Sequence, residues 1–352
     1  MPRFVTALGL VILVLMVPHP GAAQTSISAR GATLRIGGRL HAQYQGSSVE
    51  DAIGDFFIRR ARINVDATFT EFVDGKLLTD FAGGRATLLD AYVRLNFSDR
   101  FRFSMGQLKR AFDIFELVSS TDLSLIERTG KITGLSTCTG VGSVCSFSQL
   151  TESLGFAGRD AGMKIDGSSG TFSYQATVTN GTGMGVSDEN DGKSVSGRAS
   201  VATGENVVVS GQVGLHDYLT PSDRTEHAFA WGGDVQVGTW RDGLLVQAAI
   251  AGGENWKSLD LTDEPGNFLA IQAVASYYHP LDGDRIIAVE PLARLSVADP
   301  DGSIDEDGGT LLTPGVMFYF LGKNKIGANI DYYIPATGDS EFSFRFGTFL
   351  YF

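Results

Sequence analysis

The final stretch, Glu341 to Phe352 (EFSFRFGTFLYF), limits what this chain can fold into more than any other. Phe342, Phe344, Phe346, Leu350 and Phe352 fall on one parity, and Ser343, Arg345 and Gly347 on the other. A period of two marks a strand with one apolar and one polar face. Left as a free edge, such a strand would present unpaired backbone groups beside an aromatic face, which invites aggregation. Pairing it with the first strand of a closed barrel removes that edge. In lipid the closure is obligatory, because every backbone N–H and C=O must find a partner within the protein.

The start of the chain has a different character. Arg3 supplies a short basic region, Ala7 to Val17 an apolar one, and Gly21-Ala22-Ala23 a small-residue cleavage site. This is the form of a secretory signal peptide, with cleavage expected after Ala23, so residues 1–23 are set apart from a barrel domain at 24–352. The remainder has no apolar run of the length a membrane helix needs. A net charge of -12 argues against a nucleic-acid surface.

Alternation recurs along the rest of the chain. In Thr33 to Gln45 the outward set is Leu34, Ile36, Leu40, Ala42 and Tyr44, against Arg35, Arg39, His41 and Gln43. The next strand sets Phe57, Ala61, Ile63 and Val65 outward and Arg60, Arg62, Asn64 and Asp66 inward. Further segments are expected at Lys76–Gly83, Thr87–Phe97 (with Leu89 outward), Phe101–Gln107, Ala157–Asp166, Thr171–Asn180, Lys193–Ala202, Asn206–Tyr218 and Glu226–Thr239. Gly243–Gly253, Asn267–Tyr278, Asp284–Val297, Thr310–Leu321, Lys325–Pro335 and the closing strand complete a set of about 16. With the N-terminus periplasmic, the turns on that side are all short. The other side holds most of the long connections, above all Leu108 to Phe156. That asymmetry belongs to all-β, antiparallel outer-membrane barrels. Strands of this length, tilted, span about 25–30 Å. Phe69, Phe72, Phe97, Phe101, Trp240, Tyr277, Tyr278, Tyr351 and Phe352 are expected to form the periplasmic aromatic girdle.

Several segments then resemble one family. Phe57-Ile58-Arg59-Arg60-Ala61-Arg62, Asp90-Ala91-Tyr92-Val93, Gly106-Gln107-Leu108-Lys109-Arg110-Ala111-Phe112, the Leu117–Arg128 stretch, Gly158-Arg159-Asp160-Ala161-Gly162 and Asn180-Gly181-Thr182-Gly183 resemble the phosphate-selective porins, the porin O and P family of Gram-negative outer membranes. The resemblance implies a homotrimer and an anion pathway lined by arginines. It also implies an outer-membrane location, amid lipid and lipopolysaccharide. Two features depart from the pattern: Ala111 stands where the family commonly has proline, and the strong excess of bases expected of a phosphate trap is missing.

Sixteen strands leave an aqueous lumen, so a selective pore needs something to narrow it. The long third extracellular loop, with Lys109, Arg110, Arg128 and Lys131, is expected to fold into the lumen as the constriction; the alternative is an extracellular cap or a trimer latch. Its Cys138 and Cys145, the only cysteines, are expected to form a disulfide. Inward parity collects eleven bases against eight acids. Arg60, Arg62, Arg94 and Arg102 come from neighbouring strands and are the expected anion pathway, because a guanidinium fork pairs with oxyanions and never titrates away. Alternatively they brace the wall by pairing with Asp66, Asp80 and Asp90. Asp299, Asp301, Asp305 and Asp307 form a weak Ca²⁺ candidate lacking full EF-hand spacing. His41, His216, His227 and His279 sit in no catalytic motif, so no enzyme and no cofactor are expected. The expected function is a porin for passive diffusion of small hydrophilic solutes, anions such as phosphate among them. The rivals are a general or cation-preferring porin and a plugged structural or adhesin barrel.

Overall fold

The structure is a computed structural model describing residues 25–29, 31–135, 146–260 and 264–352. Its strands are β1 (Thr25–Ala29), β2 (Ala32–Ser47), β3 (Asp55–Thr68), β4 (Val73–Asp80), β5 (Thr87–Ser98), β6 (Phe101–Lys109), β7 (Arg159–Ser169), β8 (Phe172–Thr179) and β9 (Ser194–Thr203). They continue with β10 (Val207–Leu219), β11 (Thr225–Thr239), β12 (Asp242–Asn255), β13 (Gly266–Pro280), β14 (Ala288–Asp299), β15 (Gly309–Tyr319), β16 (Lys325–Pro335) and β17 (Glu341–Tyr351). From β2 onward each strand pairs antiparallel with the next. The circle closes where β17 meets β2, from Ser343 opposite Ser47 to Tyr351 opposite Arg39. The barrel therefore has sixteen strands.

β1 is additional. It pairs with Ala32–Ile36 of β2, on the edge that β17 leaves open below Arg39, since β3 occupies the other edge. β14 begins four residues later than alternation suggests, and β4 is shifted toward the periplasmic turn.

Alternation decides which way side chains face. On β17, Phe342, Phe344, Phe346 and Leu350 are exposed on the lipid side, while Ser343, Arg345 and Phe349 are buried inside. Two β-bulges break the parity, each adding one residue that flips everything on its far side. Opposite His41 and Ala42 the extra residue is Arg59, so Phe57 and Arg59 turn inward and Phe56 and Ile58 face lipid. Opposite Leu78 and Thr79 it is Leu89, which is buried while Leu88 faces out. Outward Phe57 and Leu89 are thus corrected. Gln107 donates to the carbonyls of Leu88 and Leu89, satisfying backbone that the second bulge leaves unpaired.

The girdle is also divided. Phe69, Phe72, Phe97, Phe101, Tyr277 and Phe352 are exposed on the outer face. Trp240, Tyr278 and Tyr351 instead pack against the interior cluster, with the Arg241 guanidinium 5.6 Å from the ring centres of Trp240, Tyr278 and Tyr319.

The interior is not a uniform polar lumen. Ala228, Ala230, Ala249, Ala251 and Ala270 point inward from β11–β13 and are buried. Against them lie Phe112, Ile114, Phe115, Leu125, Ile126, Phe147, Leu150, Leu154 and Phe156 of the long loop. Burying each large side chain contributes about 1.5–3 kcal/mol toward holding the loop on this wall. Small wall residues make the space and large loop residues fill it.

Candidate functional site

The long loop starts at the end of β6 and carries helices α1 (Ile114–Leu117) and α2 (Phe147–Ser153). Asp113 caps α1, accepting from the amides of Phe115 at 2.8 Å and Glu116 at 3.4 Å, and its other oxygen accepts from Thr151 Oγ1 at 2.9 Å. Burial, then the neighbouring Glu116 charge, pushes its carboxyl up to about 6. The other end of α1 is capped by cations: Lys109 Nζ donates to the carbonyls of Glu116, Leu117 and Val118, and Arg128 to those of Phe115 and Val118. Cations at the last carbonyls of a helix are electrostatically favoured.

Beyond α1 the loop crosses the lumen. Ser120 accepts from Arg39 at 2.5 Å and from Arg62 at 3.2 Å on one wall. Further round the same wall, at β14 and the β15–β16 connection, Asp122 pairs with Lys323 at 2.5 Å, the Leu123 carbonyl accepts from Lys325, and Ser124 donates to Glu290 at 2.8 Å. Lys323 and Lys325 sit at the periplasmic turn between β15 and β16, so the loop tip reaches nearly through the barrel. The chain then climbs along β14, β17 and β2. Arg294 donates to the carbonyls of Glu127 and Arg128, Arg345 to that of Lys131, and Ser343 Oγ accepts from the Thr133 amide.

Glu127 is the centre of this anchorage. Its carboxylate accepts from Gln43 at 2.8 Å, Arg59 at 3.0 Å and Arg60 at 3.0 Å. Burial alone would raise its pKa, but Arg60 and then Arg59 overcome that and hold it at about 2.

Each of the four wall arginines has a carboxylate: Arg60 has Glu127, Arg62 has Asp80 at 2.6 Å, Arg94 has Asp74 at 2.9 Å, and Arg102 has Asp166 at 2.6 Å. Exposure separates them. The Arg60 side chain is 4% exposed beneath the loop, whereas Arg94 and Arg102 are 33% and 35% exposed. The inner faces of β16, β17 and β2 resemble Arg60: Asn329, Asp331, Ser343, Arg345, His41 and Gln43 are all buried. Lumen-facing Asn64, Asp66, Lys76, Tyr92, Lys164 and Gln175 remain half-buried. The loop thus covers the wall from β10 round to β2, and the open lumen lies along β3–β8.

Cavities follow this division. One of about 330 Å³ is lined by Asp90, Tyr92, Arg94, Lys164 and Asp166, with Lys109 of the loop. A second, of about 590 Å³, lies near the outer ends of β2 and β3 among Gln45, Arg59, Glu127, Lys131 and Arg345. Lys164 is one of the eleven bases of inward parity, whereas Arg59, placed there by its bulge, is not, because a bulge leaves no mark in alternation. Of the loop bases only Lys131 is exposed; Lys109 and Arg128 hold loop carbonyls, and Arg110 is buried against Asp160 at 2.6 Å.

In the acidic Asp299–Asp307 stretch, Asp307 lies near both Asp299 and Asp301. Asp301 accepts from Ser258 and Ser303, and Asp307 lies against Asp299. Among the described residues no group of three or more His, Cys, Asp or Glu could hold a metal. Cys138, Cys145 and the signal segment at residues 1–23 lie outside the described residues.

Comparison with known proteins adds the following. The family described as phosphate-selective porin O and P matches residues 34–232, more than half of the chain. No curated protein matches in sequence. Among solved structures, the anion-selective porin from Comamonas acidovorans is similar with a TM-score of 0.63 and 13% identity, covering 91% of this chain and 100% of that one. The outer membrane channel DcaP of Acinetobacter baumannii gives 0.61 and 11%, covering 92% and 99%. OmpT of Vibrio cholerae in its trimer form gives 0.56 and 14%, covering 92% and 100%. At these identities the likeness is one of fold.

Proposed function

The chain belongs to the phosphate-selective porin O and P family, and from that premise we propose that this outer-membrane channel prefers anions weakly. It passes small hydrophilic solutes by diffusion through the lumen along β3–β8. The observation carrying the preference is that half-exposed bases are concentrated on the uncovered wall, where Lys76, Arg94, Arg102 and Lys164 face the conduit. An anion entering a narrow lumen loses part of its hydration, and guanidinium and ammonium groups replace it. Each of these bases already has a carboxylate neighbour, so the preference is weak. Half-exposed pairs remain open to exchange, since their partners hold them with only about 0–1 kcal/mol.

Arg60 has a different role in this reading, holding the loop rather than meeting the solute. Arg62, paired with Asp80 and touching Ser120, stands between the two groups. Phosphate is the oxyanion suggested by the family's description. The assembly is read as a homotrimer, as in the trimer form of OmpT, reached after removal of residues 1–23 and set in a lipopolysaccharide-bearing membrane. Catalysis has no part in this reading.

Reversal potentials in a KCl gradient test the preference. Replacing Arg94 and Arg102 together by alanine is expected to move the potential toward cation selectivity. Neutralising the exposed Asp305 and Glu306 should move it little, because exposed charges more than about 8 Å from the path are screened at physiological salt. A larger shift from the loop variant would favour the second reading, a cation-preferring mouth built from these acids and the exposed Glu189.

A further inference from the structure

The end of β14 and the connection to β15 carry Asp299, Asp301 and Asp307 at the extracellular mouth, and the anion conduit involves none of them. Their backbone is fixed. Asp301 is fully buried and accepts from Ser258 at 2.5 Å and from the Ser303 amide at 3.0 Å and hydroxyl at 2.7 Å, so both of its oxygens have donors. The Pro300 carbonyl accepts from Asn255 at 2.9 Å, and the Gly302 amide donates to the Asn267 carbonyl at 2.9 Å. These bonds tie the connection to its neighbour between β12 and β13. Ala298 lies opposite Gly309, so the chain returns past Asp299 at Gly308, where a Cβ would lie 3.7 Å from the Asp299 Cα. That return sets Asp307 beside Asp299.

Asp307 is left with an unanswered oxygen. The residue is 6% exposed, its Oδ2 meets no hydrogen-bond donor, and the group it lies against is a second acid. Two carboxylates in contact cannot both stay ionised unless a positive charge stands with them. No base supplies it. The ion pairs of the extracellular connections, Lys193 with Asp188 and Arg224 with Glu226, lie elsewhere, and among the described residues neither Asp299 nor Asp307 forms one. In metal-free water the pair must keep a proton, and burial followed by the Asp299 charge pushes the Asp307 carboxyl up to about 7. A cation can take the place of that proton. Carboxylate oxygens select a hard divalent ion, and with Asp301 engaged the two that remain suit one that keeps part of its water. Asp299 is only half-buried, which leaves a side open for that water.

We propose that Asp299 and Asp307 hold a partly hydrated hard divalent cation, which fixes the β14–β15 connection at the mouth of the barrel. The proposal rests neither on the anion preference nor on the position of the conduit.

Equilibrium dialysis of the intact mature barrel against Ca²⁺, at a pH above the Asp307 value, tests it. Wild type should bind one more Ca²⁺ per chain than Asp307→Asn, with a Kd on the order of 10⁻⁴ to 10⁻³ M, as in other extracellular sites. In Asp307→Asn that ion should bind about tenfold more weakly or not at all. Asp299→Asn should lose the same ion, which keeps the comparison available if one variant does not fold, and heat-resistant migration reports folding in each. Asp305→Asn alters an exposed neighbour and should retain the ion. A wild type that binds no more Ca²⁺ than Asp307→Asn and Asp299→Asn would overturn the site. So would equal loss in Asp305→Asn, or displacement of the ion by K⁺ at matched ionic strength, since either marks diffuse attraction to an acidic mouth.

Discussion

Replacing Glu127 by alanine tests the anchorage of the loop. The substitution removes the carboxylate that accepts from Gln43, Arg59 and Arg60 and leaves the 4%-exposed Arg60 side chain without a counter-charge. Removing one member of a buried pair costs about 3–5 kcal/mol, most of it the uncompensated charge left behind. At about 1.4 kcal/mol per tenfold, the population of undocked loop should rise by about 10² to 10⁴. Two assays read this: single-channel conductance, which should increase as the lumen widens, and trypsin cleavage after Arg128 or Lys131, which should appear in intact barrels. Replacing Glu127 and Arg60 together by leucine should cost far less, because the only charge that then loses its partner, Arg59, has a side chain 40% exposed to water. Wild-type conductance and trypsin resistance in Glu127→Ala would refute the anchoring role of this pair. The pair also has a predictable response to acid. Its carboxyl is held at about 2, below the ordinary 4.5, so its stabilisation is complete above the ordinary value and is lost as pH falls through about 2. Mild acid should therefore leave the loop docked.

Other expectations concern single positions. Burial, and then Asp299, pushes the Asp307 carboxyl from 3.8 up to about 7, so the stability it lends its loop is complete below 3.8 and lost as pH rises through about 7. Protease nicking within residues 300–308 should increase across that interval, and Asp307→Asn should abolish the dependence. Gly106 has φ +137°, and a Cβ there would lie 2.1 Å from the Ala91 carbonyl oxygen. Gly106→Ala should therefore sharply lower the yield of heat-resistant barrel, and a normal yield would contradict the close approach. Thiol titration of the exported protein should find neither Cys138 nor Cys145 reactive until reductant is added; two reactive thiols would exclude their disulfide.

Sixteen strands could be read from alternation because a lipid-facing surface enforces a period of two over its whole height, as β17 shows from Phe342 to Leu350. Bulges could not be read, because an inserted residue such as Arg59 looks like a continuation of the strand until its partner is known. The pairing of Arg60 with Glu127 was hidden for a related reason: a charge in an irregular loop has no periodicity to say which wall it meets. One signal was present and passed over. Inward alanines on β11–β13 make no sense against water, and a loop holding Phe112, Ile114, Phe115, Leu125 and Ile126 needs an apolar surface to cover. Read together, they place the loop on that wall and the conduit on the other.

Cysteine substitution measures the position of the conduit most directly. Arg94→Cys and Lys164→Cys place thiols on the wall that stays open, and Asn329→Cys places one on the wall beneath the loop, where Asn329 is 3% exposed. A small charged thiol reagent added during bilayer recording should reduce the current through the first two variants and leave wild type and Asn329→Cys unchanged. Equal loss of current in Asn329→Cys, or none in Arg94→Cys and Lys164→Cys, would contradict a conduit along β3–β8.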